Sequence, residues 1–162
     1  MRKIKKKLKK PRRPWDKERM KEESMLMKTY GLRRKREIWK TESILRSFRR
    51  RARELAAKKD KVQEKVLLEK LDKMGLLSES VSLDDVLGLS LENILERRLQ
   101  TLTLRKNLAN TPKHARQLIT HGHIAVDGRR IIYPGFLVPR DLENKISVYE
   151  GSKIKVKSKS EK

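Results

Sequence analysis

Thr111-Pro-Lys-His-Ala-Arg-Gln-Leu-Ile-Thr-His-Gly-His-Ile-Ala-Val-Asp-Gly128 carries a helix start, a helix stop, a strand and a tight turn in close succession. Thr111 before Pro112 predicts a capped helix, because a threonine hydroxyl can accept from a first-turn amide and proline has no amide to lose. Ala115, Leu118 and Ile119 recur at helical spacing and are expected inside, so Lys113, Arg116, Gln117, Thr120 and His121 are expected to face out. Gly122 predicts a left-handed stop. His123 to Val126, the pair Asp127-Gly128 and Arg129 to Ile132 then predict a two-residue hairpin with Ile124 opposite Ile131. A third strand is expected over Lys145 to Val148. Beyond it Ile154 and Val156 alternate with lysine, so the tail can add one more short extended segment.

Upstream, the signals are helical. Ser90 is expected to cap one longer helix whose Leu91, Ile94, Leu95, Leu99 and Leu102 form a buried stripe, leaving Arg97, Arg98 and Arg105 free to point elsewhere. Ser82-Leu-Asp-Asp85 opens a short turn closed by Gly88, which reads as a hinge between two units. Lys61 to Met74 predicts an amphipathic helix with Val62, Val66, Leu67, Leu71 and Met74 on one stripe and Gly75 ending it. Between Arg33 and Lys59 a further helix buries Ile38, Leu45, Phe48, Ala52 and Leu55 and presents Arg46, Arg49, Arg50 and Arg53 on its other side. A first helix begins at Asp16, with Glu18 in its acidic first turn, and stops at Gly31. Trp15 and Trp39 sit beside apolar helix positions, which favours packing over base stacking for both.

The 162 residues suffice for two small units. They carry 44 Lys and Arg against 21 Asp and Glu, a net charge of +23, so the folded chain repels itself and gains stability from a polyanion. Residues 1–60 hold 25 cationic against 8 acidic side chains, residues 61–100 hold 6 against 8, and residues 101–162 hold 13 against 5. Two polyanion-facing regions with a near-neutral bridge are expected. Residues 1–14, basic and broken by Pro11 and Pro14, read as an extended arm; a solvated tail or a localisation signal would look the same.

Several chemistries are excluded on composition. The chain has no cysteine, which removes disulfides and thiolate metal sites. No apolar run approaches membrane-spanning length, and the start lacks the apolar core of a secretory signal. His114, His121 and His123 lie close in sequence, but two of them flank a helix stop and no carboxylate sits at helical distance, so neither a metal site nor a general base is expected. No nucleophile has a neighbouring base. Aromatic residues make up 4% of the chain, too few for a sheet platform that stacks bases. What remains is positive charge and hydrogen-bond donors on a helix face and a hairpin. That set suits RNA, whose phosphates attract Lys and Arg and whose 2′-hydroxyls and loop bases meet Gln, Thr and His.

Leu95-Glu-Arg-Arg-Leu-Gln-Thr101, Ala115 to Val126 and Tyr133-Pro-Gly-Phe-Leu-Val138 closely resemble the RNA-binding module of the small-subunit ribosomal protein S4 family. Pro11-Arg-Arg-Pro-Trp15, Tyr30-Gly-Leu-Arg-Arg-Lys-Arg-Glu-Ile-Trp39 and Leu87-Gly-Leu-Ser-Leu-Glu92 extend the resemblance over almost the whole chain, in a variant similar to archaeal or eukaryotic members and closest to the archaeal type. The resemblance implies an α+β fold: an extended basic arm (1–14), a basic helical domain (15–89, on which the tail 150–162 can pack back) and an S4-type module of two helices and a mostly antiparallel sheet (90–149). It also implies a non-enzymatic constituent of the small subunit that binds small-subunit ribosomal RNA early in assembly and holds a multi-helix junction. Its cytoplasmic, ribosomal setting would include neighbouring small-subunit proteins (S5 is the family expectation) and messenger RNA nearby. No cofactor, metal, membrane or second copy of the chain is implied, and zinc is not carried over because the cysteine cluster of some members is missing.

The expected RNA-binding residues are Arg98, Arg105, Thr111, Lys113, Arg116, Gln117, His121, His123 and Arg129 in the module, and Arg12, Arg13, Arg33, Arg34, Arg36, Arg46, Arg49, Arg50 and Arg53 before it. Arg116→Ala is expected to weaken RNA binding with thermal stability nearly unchanged. The rival readings are a stand-alone RNA-binding or RNA-modification accessory protein built on the same module, and a DNA-compacting protein.

Overall fold

The computed structural model describes residues 8–77 and 82–152. The expected extended segment at Ile154 and Val156, and the outer parts of the arm and tail, lie outside these residues. Helix α1 (Lys17–Thr29) begins at Asp16, whose carboxylate accepts from the Arg19 amide, and is closed by Gly31 at φ +59°. Helix α2 (Lys35–Lys58) is the long axis of the N-terminal half. Helix α3 (Lys61–Lys73) starts at Asp60, which accepts from the Val62 and Gln63 amides, and gives way to Gly75 at φ +66°. The starts and stops of α1 and α3 follow from a side-chain acceptor and a left-handed glycine, whereas α2 starts at Arg34 without a side-chain cap and ends at Lys59, a non-glycine at φ +55°.

Leu45, Phe48, Ala52 and Leu55 of α2 bury against Leu67 and Leu71 of α3 and against Val86 and Ile94 further on. Val86 lies in α4 (Leu83–Gly88), and it is wholly buried. The stretch expected as a hinge is therefore part of this core, held by a capping box in which Ser82 and Asp85 bond reciprocally. On α3 the expected stripe is only half right: Leu67 and Leu71 are buried, but Val62 and Val66 are 74% and 61% exposed. The helix meets its neighbours through Leu67, Leu68, Leu71 and Met74, and its N-terminal half overhangs them.

The single helix expected from Ser90 is two helices, α5 (Leu91–Glu96) and α6 (Leu99–Arg105), broken at Arg97 and Arg98. The physical reason is a competing partner. Residues 136–138 run antiparallel to the break, where the Leu99 amide donates to the Phe136 carbonyl at 2.8 Å and the Val138 amide to the Arg97 carbonyl at 3.0 Å. Arg98 is extended (φ −71°, ψ 142°), and the Thr101 hydroxyl takes up the Leu95 carbonyl that the break frees.

Helix α7 (Pro112–Thr120) starts as expected, with the Thr111 hydroxyl accepting from the His114 amide. Strands β1 (Ile124–Val126), β2 (Arg129–Arg130) and β3 (Ile146–Val148) form an antiparallel sheet in the order β2-β1-β3, with the one-turn helix α8 (Arg140–Glu143) before β3. The Ile131 amide donates to the Ile124 carbonyl at 3.1 Å, so the expected register holds. Leu99 and Leu102 of α6, Ala115, Leu118 and Ile119 of α7, and Ile124, Val126 and Ile146 of the sheet bury one another as the second core. At roughly 2 kcal/mol per large side chain, this burial is what holds so short a sheet in place.

Candidate nucleic-acid interface

The site is built on α7 and the hairpin. Thr111, Lys113, Gln117, His121 and Arg129 are exposed, and among the described residues Lys113 and Arg129 face no carboxylate. Gly122 joins helix to hairpin. With φ +77° it lets the chain turn, and its missing side chain leaves room for the Arg130 guanidinium, whose Nη2 donates to the His121 carbonyl at 3.3 Å. His121 and His123 meet edge to face with centroids 6.2 Å apart, and His123 Nδ1 lies 2.9 Å from the Ser152 hydroxyl. That bond keeps residue 152, at the start of the tail, beside the module.

Two arginines expected on this face are elsewhere. Arg98 is 5% exposed and its Nη2 bonds Glu37 Oε2 at 2.6 Å; Arg116 grips the same carboxylate through Nη1 and Nη2 at 3.1 and 3.0 Å. Glu37 projects from the first turn of α2, so one acid ties α2 to the α5–α6 break and to α7. Burial would raise the Glu37 carboxyl, but the hydrogen bonds and charges of Arg116 and Arg98 outweigh it and hold it below the ordinary carboxylate value. Burial also lowers Arg98 from its usual value, with Glu37 partly compensating. Arg97 is not free either: it pairs with Glu143 at 2.6 Å and donates to the Val138 carbonyl. Lone acids in basic runs are easily read as solvated, and Glu37 gave no stronger signal than its place at the start of α2.

A second polar anchor that sequence reasoning missed is Gln100, 1% exposed on the face of α6 that reads as apolar. Its amide lies 3.1, 3.0 and 2.8 Å from the carbonyls of Tyr30, Gly31 and Pro112.

In the N-terminal half, Arg12, Arg13, Arg33, Arg34, Arg36 and Arg53 are exposed without a carboxylate partner among the described residues. Arg51 is exposed in the same way, and the other arginines expected to bind from this half are engaged. Arg46 pairs with Glu42 at 2.6 Å, Arg50 with Glu54 at 3.5 Å, and Arg49 donates to the Leu89 carbonyl at 2.7 Å. In the module, Arg105 pairs with Glu96 at 2.7 Å. Exposed pairs of this kind exchange easily, so a phosphate can take the acid's place at small cost. The described part of the arm lies along α1 and α2: Arg19 Nη2 donates to the carbonyls of Arg13 and Pro14, and the Lys9 amide to the Ser43 hydroxyl. There Lys10, Arg12, Arg34 and Arg36 line one basic cleft of about 860 Å³. The tryptophans divide. Trp39 packs and donates its indole N–H to Glu23 at 2.9 Å, whereas Trp15, expected to pack, precedes α1, is 85% exposed and joins none of the apolar clusters among the described residues.

Comparison with known proteins fits this arrangement. The S4 domain matches residues 97–143, and the Ribosomal protein S4/S9 N-terminal domain matches residues 2–96. The small ribosomal subunit protein uS4 of Ignicoccus hospitalis is 53% identical over 148 residues, which is 90% of this chain and 89% of that protein. Its counterpart in Saccharolobus islandicus is 51% identical over 157 residues (94% and 87%), and that in Thermoplasma volcanium 49% over 150 residues (89% and 75%). With both halves matched in order and identity near one half along almost its full length, the chain belongs to the uS4 family of small ribosomal subunit proteins, in its archaeal type.

Proposed function

We propose that the chain is a structural, non-enzymatic constituent of the small ribosomal subunit, a primary binder that holds a multi-helix junction of small-subunit ribosomal RNA early in assembly. The observation that carries this reading is the set of exposed, unneutralised donors on α7 and the hairpin (Thr111, Lys113, Gln117, His121, Arg129) in a chain of net charge +23. Lys113 and Arg129 supply phosphate contacts, and Gln117 and His121 reach 2′-hydroxyls or unpaired bases. His123, half-buried beside them, completes the face. The three-part division into arm, helical domain (15–89) and module (90–149) makes this a clamp: Arg12, Arg13, Arg33, Arg34, Arg36 and Arg53 grip phosphates from one side, the module reads shape from the other, and Arg46, Arg49, Arg50 and Arg105 join once RNA displaces their present partners. Its setting is the cytoplasm, with neighbouring small-subunit proteins such as S5 and messenger RNA close by.

Binding of the full chain to small-subunit ribosomal RNA tests this. Neutralising about ten phosphates should cost roughly 10³–10⁵ in affinity between about 50 and 200 mM salt. The RNA should also win over duplex DNA of equal length. A flat salt response, or equal affinity for DNA, would sink the reading.

A further inference from the structure

The arginines that leave the α7 face lead to a second site. Arg98 and Arg116, fixed by Glu37, form part of the wall of a pocket of about 520 Å³ on the seam between α2 and the module, together with Lys40, Tyr133 and Phe136. Pockets of about 300–1,000 Å³ hold ligands of small-molecule size, so a single nucleotide fits this volume. Its walls are amphipathic. Ile44, Ile94, Phe136 and Leu137 supply apolar surface, while three cations face one carboxylate, leaving a local charge of two positive units. Lys40 has no acidic partner among the described residues, and the Arg98 Nε is buried without an acceptor.

Tyr133 stands at the edge of this pocket with 69% of its surface exposed. Its backbone is fixed all the same: its carbonyl accepts from the Phe136 amide at 3.1 Å, and the next two bonds along, Pro134 carbonyl from the Gln100 amide and Phe136 carbonyl from the Leu99 amide, tie the loop to α6. An aromatic ring on a loop of fixed backbone, bare to solvent and beside a net positive charge, is a stacking platform with the backbone part of its ordering cost already met.

We propose that this pocket receives one unpaired nucleotide of the bound RNA, its base on the Tyr133 ring and its phosphate on Lys40 and the outer edge of Arg116. A base inside a duplex cannot reach the ring, so the site selects a bulged or looped nucleotide. Because Glu37 and Lys40 come from α2 and Arg116 and Tyr133 from the module, the nucleotide braces the two halves against each other. This inference rests on the RNA-binding reading above and adds a specific subsite to it.

The test uses the full chain with small-subunit ribosomal RNA. Ultraviolet cross-linking should join the tryptic peptide 131–140 to a single unpaired nucleotide. Tyr133→Ala should weaken binding about tenfold and abolish that cross-link, while Tyr133→Phe, which keeps the stacking face, should bind within about twofold of the parent. Gly135→Leu narrows the pocket from its wall, where the backbone accepts a Cβ at an ordinary 3.5 Å contact with the Arg98 guanidinium; it should match Tyr133→Ala. Tyr133→Ala carries the test alone if Gly135→Leu melts early. Parent-like binding by Tyr133→Ala, a cross-link to a paired nucleotide, or a cross-link of this peptide to a neighbouring protein in the assembled subunit would overturn the subsite while steep salt dependence left the general reading standing. No RNA binding by the parent chain would overturn both.

Discussion

At the scale of single residues, Glu37 does the work of three contacts. Replacing it by Gln removes the charge that Arg98 and Arg116 share and leaves a buried guanidinium without its anion, at a cost of about 2 kcal/mol in urea unfolding. Because its folded pKa is depressed, the carboxylate's contribution is present above the unfolded value of about 4.3 and is lost as pH falls through the folded value. The stability gap between the parent and Glu37→Gln should therefore be constant near neutral pH and close in that acid window. Arg116 follows from the same geometry. The sequence favoured a free RNA contact, with Arg116→Ala thermally silent; paired bidentately to Glu37, the residue is structural as well, and Arg116→Ala should cost about 1–2 kcal/mol. A melting temperature unchanged in Arg116→Ala would contradict a structural role for the Arg116–Glu37 pair. Gly31 is equally exacting, since its φ is +59° and a Cβ would lie 2.6 Å from that of Pro112. Gly31→Ala should destabilise by about 2–3 kcal/mol, read by thermal unfolding.

Among the elements, α7 and the hairpin act as one piece because Gly122 and Arg130 lock them together and their inner faces share a core. Their outer face can therefore be altered without disturbing the fold. Lys113→Ala and Arg129→Ala should each leave unfolding within about 0.5 kcal/mol of the parent and reduce the slope of log affinity against log salt by about one. Titration of labelled RNA at several salt concentrations measures both the slope and the affinity. An unchanged slope in both variants would remove these residues from the phosphate contacts. The α5–α6 break teaches a different lesson. Its residues suit a continuous helix, yet the chain gives up helical bonds there because the loop 136–138 supplies others and because the extended Arg98 can then reach Glu37.

For the whole molecule, charge decides behaviour. A net +23 makes the free chain self-repelling, so its melting temperature should rise with salt, and rise further with bound RNA in proportion to affinity. Scanning calorimetry of the free chain from about 50 to 500 mM salt checks the first part, bounded below and above by weak and strong screening. A melting temperature that fell across this range would mean that ion pairs such as Arg97–Glu143 outweigh the repulsion. The two halves share apolar surface, with Ile94 in the core of α2 and α3 and Leu95 against Leu32 and Ile38, and the polar anchors Glu37 and Gln100 add directional hydrogen bonds that sharpen their mutual orientation.

The sequence by itself determined what local chemistry controls. The Thr111-Pro112 start, the left-handed stops at Gly31, Gly75 and Gly122, the Asp127-Gly128 turn and the alternation around it each depend on neighbours a few residues away, so those helix ends, the hairpin register and the basic character could be read directly, whereas the break between α5 and α6 could not. Only the tertiary structure decided which arginines are free. Arg98 and Arg116 look in sequence like Lys113, and what separates them is an acid some sixty to eighty positions earlier that the fold brings within 3.1 Å. Trp15 and Val62 were misread for the converse reason: an apolar residue at helical spacing packs only if something comes to cover it, and that depends on where the other elements end up.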